Sequence, residues 1–241
     1  FQLLDLPRDA HGHECAAALV AALASDRPPR TAWRGGHWHA QALRPQAPQA
    51  GPLPLRPGGV YLITGGQGQI GRQLARWLAR HAPGATLILA GRGSRVSEDQ
   101  QAARQHAYEE IRASGADVWP AAADVADETS LTALLDEIHA RHGALHGVIH
   151  AAGSLTDGML AGRTRDQRRD VWRAKLVGTW LVDRLLDDHP VAGQLDWLVV
   201  CSSLAACDPL AGQAAYAAAN AGADALVLAR QARGRRALTI D

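Results

Sequence analysis

From residue 60 onward, apolar runs of four to seven residues alternate with longer stretches in which apolar positions recur every three or four. Runs that stay apolar at every position are strands buried on both faces, and the amphipathic stretches are helices laid over them. The pattern predicts strand 60–64 followed by a helix over about 69–81, strand 86–90 by one over about 98–114, and strand 117–122 by one over about 128–142. Strand 146–151 leads to a loop and a single long helix over about 166–186, strand 195–201 precedes a helix bearing Tyr216, and 237–241 reads as a sixth strand. Strands alternating with helices specify an α/β fold, a doubly wound parallel sheet of Rossmann type.

Before that alternation the pattern differs. Residues 1–43 predict a short strand, a helix over about 14–24, and two strands around Thr31-Ala32-Trp33 and His37-Trp38-His39, joined by the hairpin pair Gly35-Gly36. Residues 44–58 hold five prolines and read as an extended linker. The expected division is therefore 1–57, a subdomain tail with its linker, and 58–241, a complete α/β unit. Both ends look cut, since the chain opens on a strand-like run and stops within the sixth strand, so a piece of a larger polypeptide is expected.

Charge narrows the partners. The 241 residues carry 25 basic and 24 acidic side chains, net +1, which gives no reason to expect nucleic acid or a membrane surface. No apolar run reaches spanning length and no signal-peptide plan opens the chain, so a soluble, cytoplasmic protein is expected. Cys15, Cys201 and Cys207 show no metal-type spacing, and His37 and His39 alternate along a strand with no carboxylate cluster beside them; no metal site is predicted.

The first strand-to-helix junction reads Thr64-Gly65-Gly66-Gln67-Gly68-Gln69-Ile70-Gly71, with Gly66-x-Gly68-x-x-Gly71 in the context a dinucleotide site requires. Glycines let the chain turn tightly and approach a pyrophosphate, and the free N–H groups of a helix start favour its charge. The tip of the second strand lacks the acid that binds a ribose hydroxyl and offers Arg92 and Arg95 instead, pointing to a 2′-phosphate and hence NADPH. Asp124-Val125, after the third strand, either approaches the adenine or caps the following helix.

Farther on, Tyr216 and Asn220 stand one helical turn apart, Ser203 follows the fifth strand, and Lys175 is the chain's single lysine. Together with His150-Ala151-Ala152-Gly153 and Gly212-Gln213-Ala214-Ala215-Tyr216, this set resembles the short-chain dehydrogenase/reductase superfamily, and more closely the ketoreductase domains of modular polyketide synthases. Stand-alone members usually carry Tyr-x-x-x-Lys, whereas the synthase domains have Tyr-x-x-x-Asn with the lysine on an earlier helix. The resemblance spans 58–241 and makes 1–43 look like the tail of a truncated, non-catalytic structural half. Gln69 departs from the glycine usual there, but lies outside the three spaced glycines and should alter packing near the phosphate only modestly.

The resemblance implies that Tyr216 protonates the developing alkoxide, with Ser203 hydrogen-bonded to the carbonyl oxygen. A free tyrosine is a poor acid at neutral pH, so the Lys175 ammonium is expected to stabilise its phenolate. Asn220 would position Lys175 or a relay water. Cofactor contacts fall to Gly65, Gly66, Gly68, Ile70, Gly71, Arg92, Asp124, Val125, Ala151, Ala152 and Gly153. Thr156-Asp157 resembles the end of the Leu-Asp-Asp signature of B-type domains, making Asp157 substrate-orienting, and Asp208 stands where A-type domains commonly place Trp; both favour a D-configured alcohol. The expected reaction is NADPH-dependent reduction of a β-ketoacyl thioester held on the phosphopantetheine of an acyl carrier protein, beside other domains of the same megasynthase. Three alternatives are an α-ketoacyl reductase of a nonribosomal peptide synthetase, a non-reducing architectural domain, and a free-standing dehydrogenase of small alcohols. The intact catalytic set disfavours the second, and the Asn220/Lys175 arrangement the third.

Overall fold

A computed structural model describes residues 3–241 apart from 8, 10, 27, 29, 46–50, 52–53, 94–96, 155–157, 160–161 and 163. The chain divides into two units, Phe1–Pro52 and Leu53–Asp241. The first holds strands β1 (Leu3–Asp5), β2 (Arg30–Arg34) and β3 (His37–Ala40) with helix α1 (Gly12–Leu23). β1 pairs parallel to β2, and β2 antiparallel to β3. Gly35 and Gly36 both have left-handed φ, +53° and +80°, the geometry of a two-residue hairpin loop that matches strand twist.

The second unit is built on six strands: β4 (Val60–Thr64), β5 (Thr86–Gly91), β6 (Asp117–Ala122), β7 (Gly147–His150), β8 (Trp197–Cys201) and β9 (Ala237–Ile240). They lie in the order β6-β5-β4-β7-β8-β9, and every pairing is parallel. Helices α2 (Gln69–His81) and α3 (Glu98–Ala113) cover one face. There they pack on Tyr61, Ile63, Leu87 and Leu89. Val60, Leu62, Ile88 and Val148 point the other way, into a core shared with α4 (Glu128–His142), α6 (Gly178–Asp188) and α7 (Ala214–Ala232). Burial on both faces is why these strands read as unbroken apolar runs. Each fully buried side chain such as Ile63 or Leu87 contributes about 1.5–3 kcal/mol of burial.

The single long helix expected over 166–186 is corrected. Helix α5 (Arg165–Trp172) runs into a π-helical turn, Arg173–Val177, before α6 begins at Gly178. Such a turn accommodates one extra residue and recurs at functional sites. Below it, Arg230 of α7 is 3% exposed and pairs with Asp183 at 2.6 Å and Asp187 at 3.0 Å, fastening α7 to α6. Because α2 leaves β4 on one face while the chain after β7 enters helices on the other, a crevice opens between the carboxyl ends of these neighbouring strands.

Candidate active site

The glycines of the β4–α2 turn divide into two kinds. Gly65 has φ +68°, and a Cβ there would lie 2.7 Å from backbone atoms of Ala151 and Ala152. At Gly66 it would meet the Ile63 carbonyl at 2.6 Å, and at Gly71 the Gly65 carbonyl at 2.5 Å, so those two let the turn pack on itself. Gly65 and Gly68 instead line a cavity of about 300 Å³, together with Ala151, Ala152 and Gly153 beyond β7 and Asp124-Val125 beyond β6. Ile70, 63% exposed in the first turn of α2, does not line it.

Among the described residues three guanidinium groups border this cavity: exposed Arg92, half-buried Arg104 of α3, and Arg173 of the π turn, which is already paired with Asp124. Arg95 lies outside the described residues. Arg104 donates to Gln67 Oε1 at 3.5 Å, while Gln67 Nε2 donates to the Ala121 carbonyl at 3.0 Å, so Gln67 lies across the strand tips. Neither residue carried a sequence signal: Gln67 is a free position of the glycine motif, and Arg104 sits in a helix remote in sequence from the strand tip it serves. Asp127, not Asp124, caps α4, accepting from Ser130 N at 2.7 Å. Asp124 accepts from Ala126 N at 2.9 Å and pairs with Arg173 at 3.3 Å, which removes the capping reading of Asp124. A glycine-lined turn, a helix start without an acidic residue and two flanking cations fit a nicotinamide dinucleotide.

Lys175 sits in the π turn and is 4% exposed. Its Nζ donates to the Cys201 carbonyl at 2.5 Å, and a Cβ at Gly153 would lie 3.4 Å from its Cε, so the side chain reaches the ends of both β7 and β8. Burial pushes its pKa below the ordinary lysine value, opposed in part by Cys201 and Asp224. Helix α7 comes close to the same turn, because a Cβ at Gly222 would stand only 2.7 Å from Leu176 Cδ1. Trp172 Nε1 donates to the Ala215 carbonyl at 3.0 Å, tying the end of α5 to the first turn of α7.

On α7, Asn220 is fully buried; its Nδ2 donates to the Tyr216 carbonyl at 2.9 Å, and its Oδ1 has no partner among the described residues. Ser203 lies two residues past Cys201, and its Oγ accepts from Ala205 N at 3.2 Å. With that lone pair engaged, its hydroxyl proton is left to donate outward. Asp157 and Thr156 lie outside the described residues; next to them, Gly158 N donates to the Gly212 carbonyl at 2.9 Å, on the approach to Tyr216. The structure thus places the lysine and the Ser203 segment at one strand end, with the Tyr216–Asn220 helix packed on the turn that carries the lysine. A buried lysine at the strand end that leads to Ser203, on the turn against which the helix of Tyr216 packs, is equipment for stabilising and protonating a developing oxyanion.

Comparisons with known proteins agree on one family. The KR-domain family model matches residues 59–241. The chain is 40% identical over 235 residues to the spectinabilin polyketide synthase system protein NorA′ of Streptomyces orinoci, an alignment covering 97% of this chain and 6% of that protein. A solved structure described as an A-type ketoreductase from a modular polyketide synthase superposes with TM-score 0.82 at 34% identity, covering 99% of this chain and 49% of that one. An adenylation, ketoreductase and pseudo-Asub structure of a keto acid-selecting NRPS module gives TM-score 0.78 at 26% identity, over 98% of this chain and 20% of that one.

Proposed function

Because the chain belongs to the KR-domain family, the ketoreductases of the short-chain dehydrogenase/reductase superfamily found in modular polyketide synthases, we propose that it reduces the ketone of a β-ketoacyl thioester carried on the phosphopantetheine arm of an acyl carrier protein. The observation that carries this reading is buried Lys175, bonded to the Cys201 carbonyl two residues ahead of Ser203 and packed under the helix of Tyr216 and Asn220. A reduced nicotinamide, when bound in the glycine-lined crevice, supplies the hydride. Ser203 donates a hydrogen bond to the carbonyl oxygen and keeps its proton, while Tyr216 gives up the one proton that completes the alcohol. Lys175 holds positive charge beside that transfer, and the unpartnered Oδ1 of Asn220 accepts from the ammonium or from a relay water.

Arg92 and Arg104 at the cavity rim support NADPH over NADH, since two guanidiniums suit a 2′-phosphate. Asp157 is assigned to substrate orientation, with the D-alcohol as product, and the other synthase domains of the same polypeptide are the working partners. The likeness to the NRPS module favours a second substrate, an α-ketoacyl thioester. Following NADPH absorbance with matched α-keto and β-keto thioesters, with Tyr216→Phe as control and chiral analysis of product, separates these readings. Turnover of the β-keto substrate lost in the variant supports the polyketide reading, and preference for the α-keto substrate moves the chain to peptide synthesis. Cofactor binding with no turnover of either leaves an architectural domain.

A further inference from the structure

His150 ends β7 and is completely buried. Its Nδ1 lies 2.7 Å from the hydroxyl of Thr64, its register partner on β4 and the residue before the glycine turn. Its Nε2 is buried with no hydrogen-bond partner among the described residues. The far side of the ring faces the π turn: a Cβ at Gly178 would stand 3.0 Å from His150 Cε1 and 3.4 Å from Nε2. Position 178 is therefore glycine because the imidazole and Val125 Cγ2, the latter also 3.0 Å from that Cβ, occupy the space. The carbonyls of Ala174 and Lys175 lie near enough to favour a protonated ring, though neither makes a hydrogen bond with Nε2. Complete burial and the nearby Lys175 charge outweigh them and hold the pKa near 3, so the ring is neutral at working pH.

We infer that His150 is a positioning residue for Lys175, wedged between the first strand of the dinucleotide site and the π turn, so that the height and tilt of the turn, and with them the ammonium, are fixed by the imidazole. This rests on the catalytic role given to Lys175 above. It also accounts for a turn that would otherwise be an irregular interruption of a helix: a regular α-helix over 165–188 would carry residues 174–178 in a different register over the ring. The other titratable groups acting on Lys175 are Cys201 from β8 and Asp224 from α7.

Lys175 is the chain's only lysine, so lysine labelled at ¹³Cε yields a single NMR signal whose titration reports this ammonium without any turnover. His150→Asn keeps a polar atom toward Thr64 but stops short of the turn, whereas His150→Gln reaches it. The expected result is a folded His150→Asn protein in which the Lys175 midpoint moves toward the ordinary lysine value by about one pH unit. Its kcat falls about 10- to 100-fold, as displacement of order an ångström permits. Its KM for the cofactor is little changed, and His150→Gln restores most of both properties. A folded His150→Asn protein with an unmoved Lys175 midpoint overturns the inference. Should that variant not fold, Gly178→Ala displaces the same ring from the other side, and an unmoved midpoint there overturns it equally. If the wild-type protein reduces neither thioester, the reductase reading fails on its own, while the Lys175 titration still decides the placement by His150.

Discussion

Lowering the pH should destabilise this protein through one imidazole. His150 holds a pKa near 3 when folded, because complete burial disfavours its charged form, against an ordinary value of 6.5 when unfolded. Between those values the unfolded chain takes up a proton that the native state refuses, so stability is fully present above about pH 6.5 and is lost as pH falls toward 3. At about 1.4 kcal/mol per pH unit, the loss is about 2 kcal/mol at pH 5 and about 5 kcal/mol over the whole span. A domain of ordinary stability has only about 5–15 kcal/mol to lose. His150→Gln cannot titrate. Urea unfolding of both proteins at pH 7 and pH 5 should therefore show the wild type losing about 2 kcal/mol more than the variant. Carboxylates such as Asp196, held low by Arg56, and His146, also lowered by burial, are common to both proteins and cancel in the difference. Identical pH dependence would refute the argument, since it would mean that the folded ring accepts a proton as readily as the unfolded one.

Replacing Arg92 or Arg104 by Ala should raise the KM for NADPH about tenfold, consistent with one lost charge-assisted bond, and leave the KM for NADH nearly unchanged in the same initial-rate assay. Gly71→Ala and Gly222→Ala make the same chemical change with different outcomes. The first drives a methyl to 2.5 Å from a backbone carbonyl and should abolish folding or cofactor binding. The second meets the tip of the Leu176 side chain, which can swing aside, and should shift Tm little while lowering kcat. Arg230→Met should cost about 1.5–3 kcal/mol in chemical denaturation, because Asp183, 7% exposed, loses its buried partner and keeps only the half-exposed Arg233 guanidinium at 2.8 Å.

The sheet was legible because parallel strands covered on both faces write themselves as continuous apolar runs, and the β4–α2 junction because glycine alone tolerates its close contacts. The Lys175 turn was not. Val171, Lys175, Thr179, Val182 and Leu186 keep a spacing of three or four, so an inserted residue leaves no break in the periodicity. Asp124 read as a possible cap because it precedes that helix; the cap is Asp127, which only the position of Ser130 N reveals. Arg104 escaped because a helix side chain that reaches back over a strand tip obeys tertiary geometry, which no local motif records. His150 was visible only as part of a resemblance. The observation that gives it a task, a missing Cβ at Gly178, needs the two segments in contact.

The order in which the strands lie has a consequence for how the catalytic unit could come apart. β5 and β6 are added outward from β4 on one side, and β8 and β9 outward from β7 on the other, each through a helical crossover. The two halves share a single ladder, Tyr61↔Gly147 to Thr64↔His150, whose partners are 86 residues apart in sequence. That ladder closes the longest loop of any pairing in the sheet, so its formation carries the largest closure entropy. The dinucleotide crevice lies at the end of this ladder, so a bound cofactor is a staple across its two strands, and amide-exchange protection on loading should concentrate at β4 and β7.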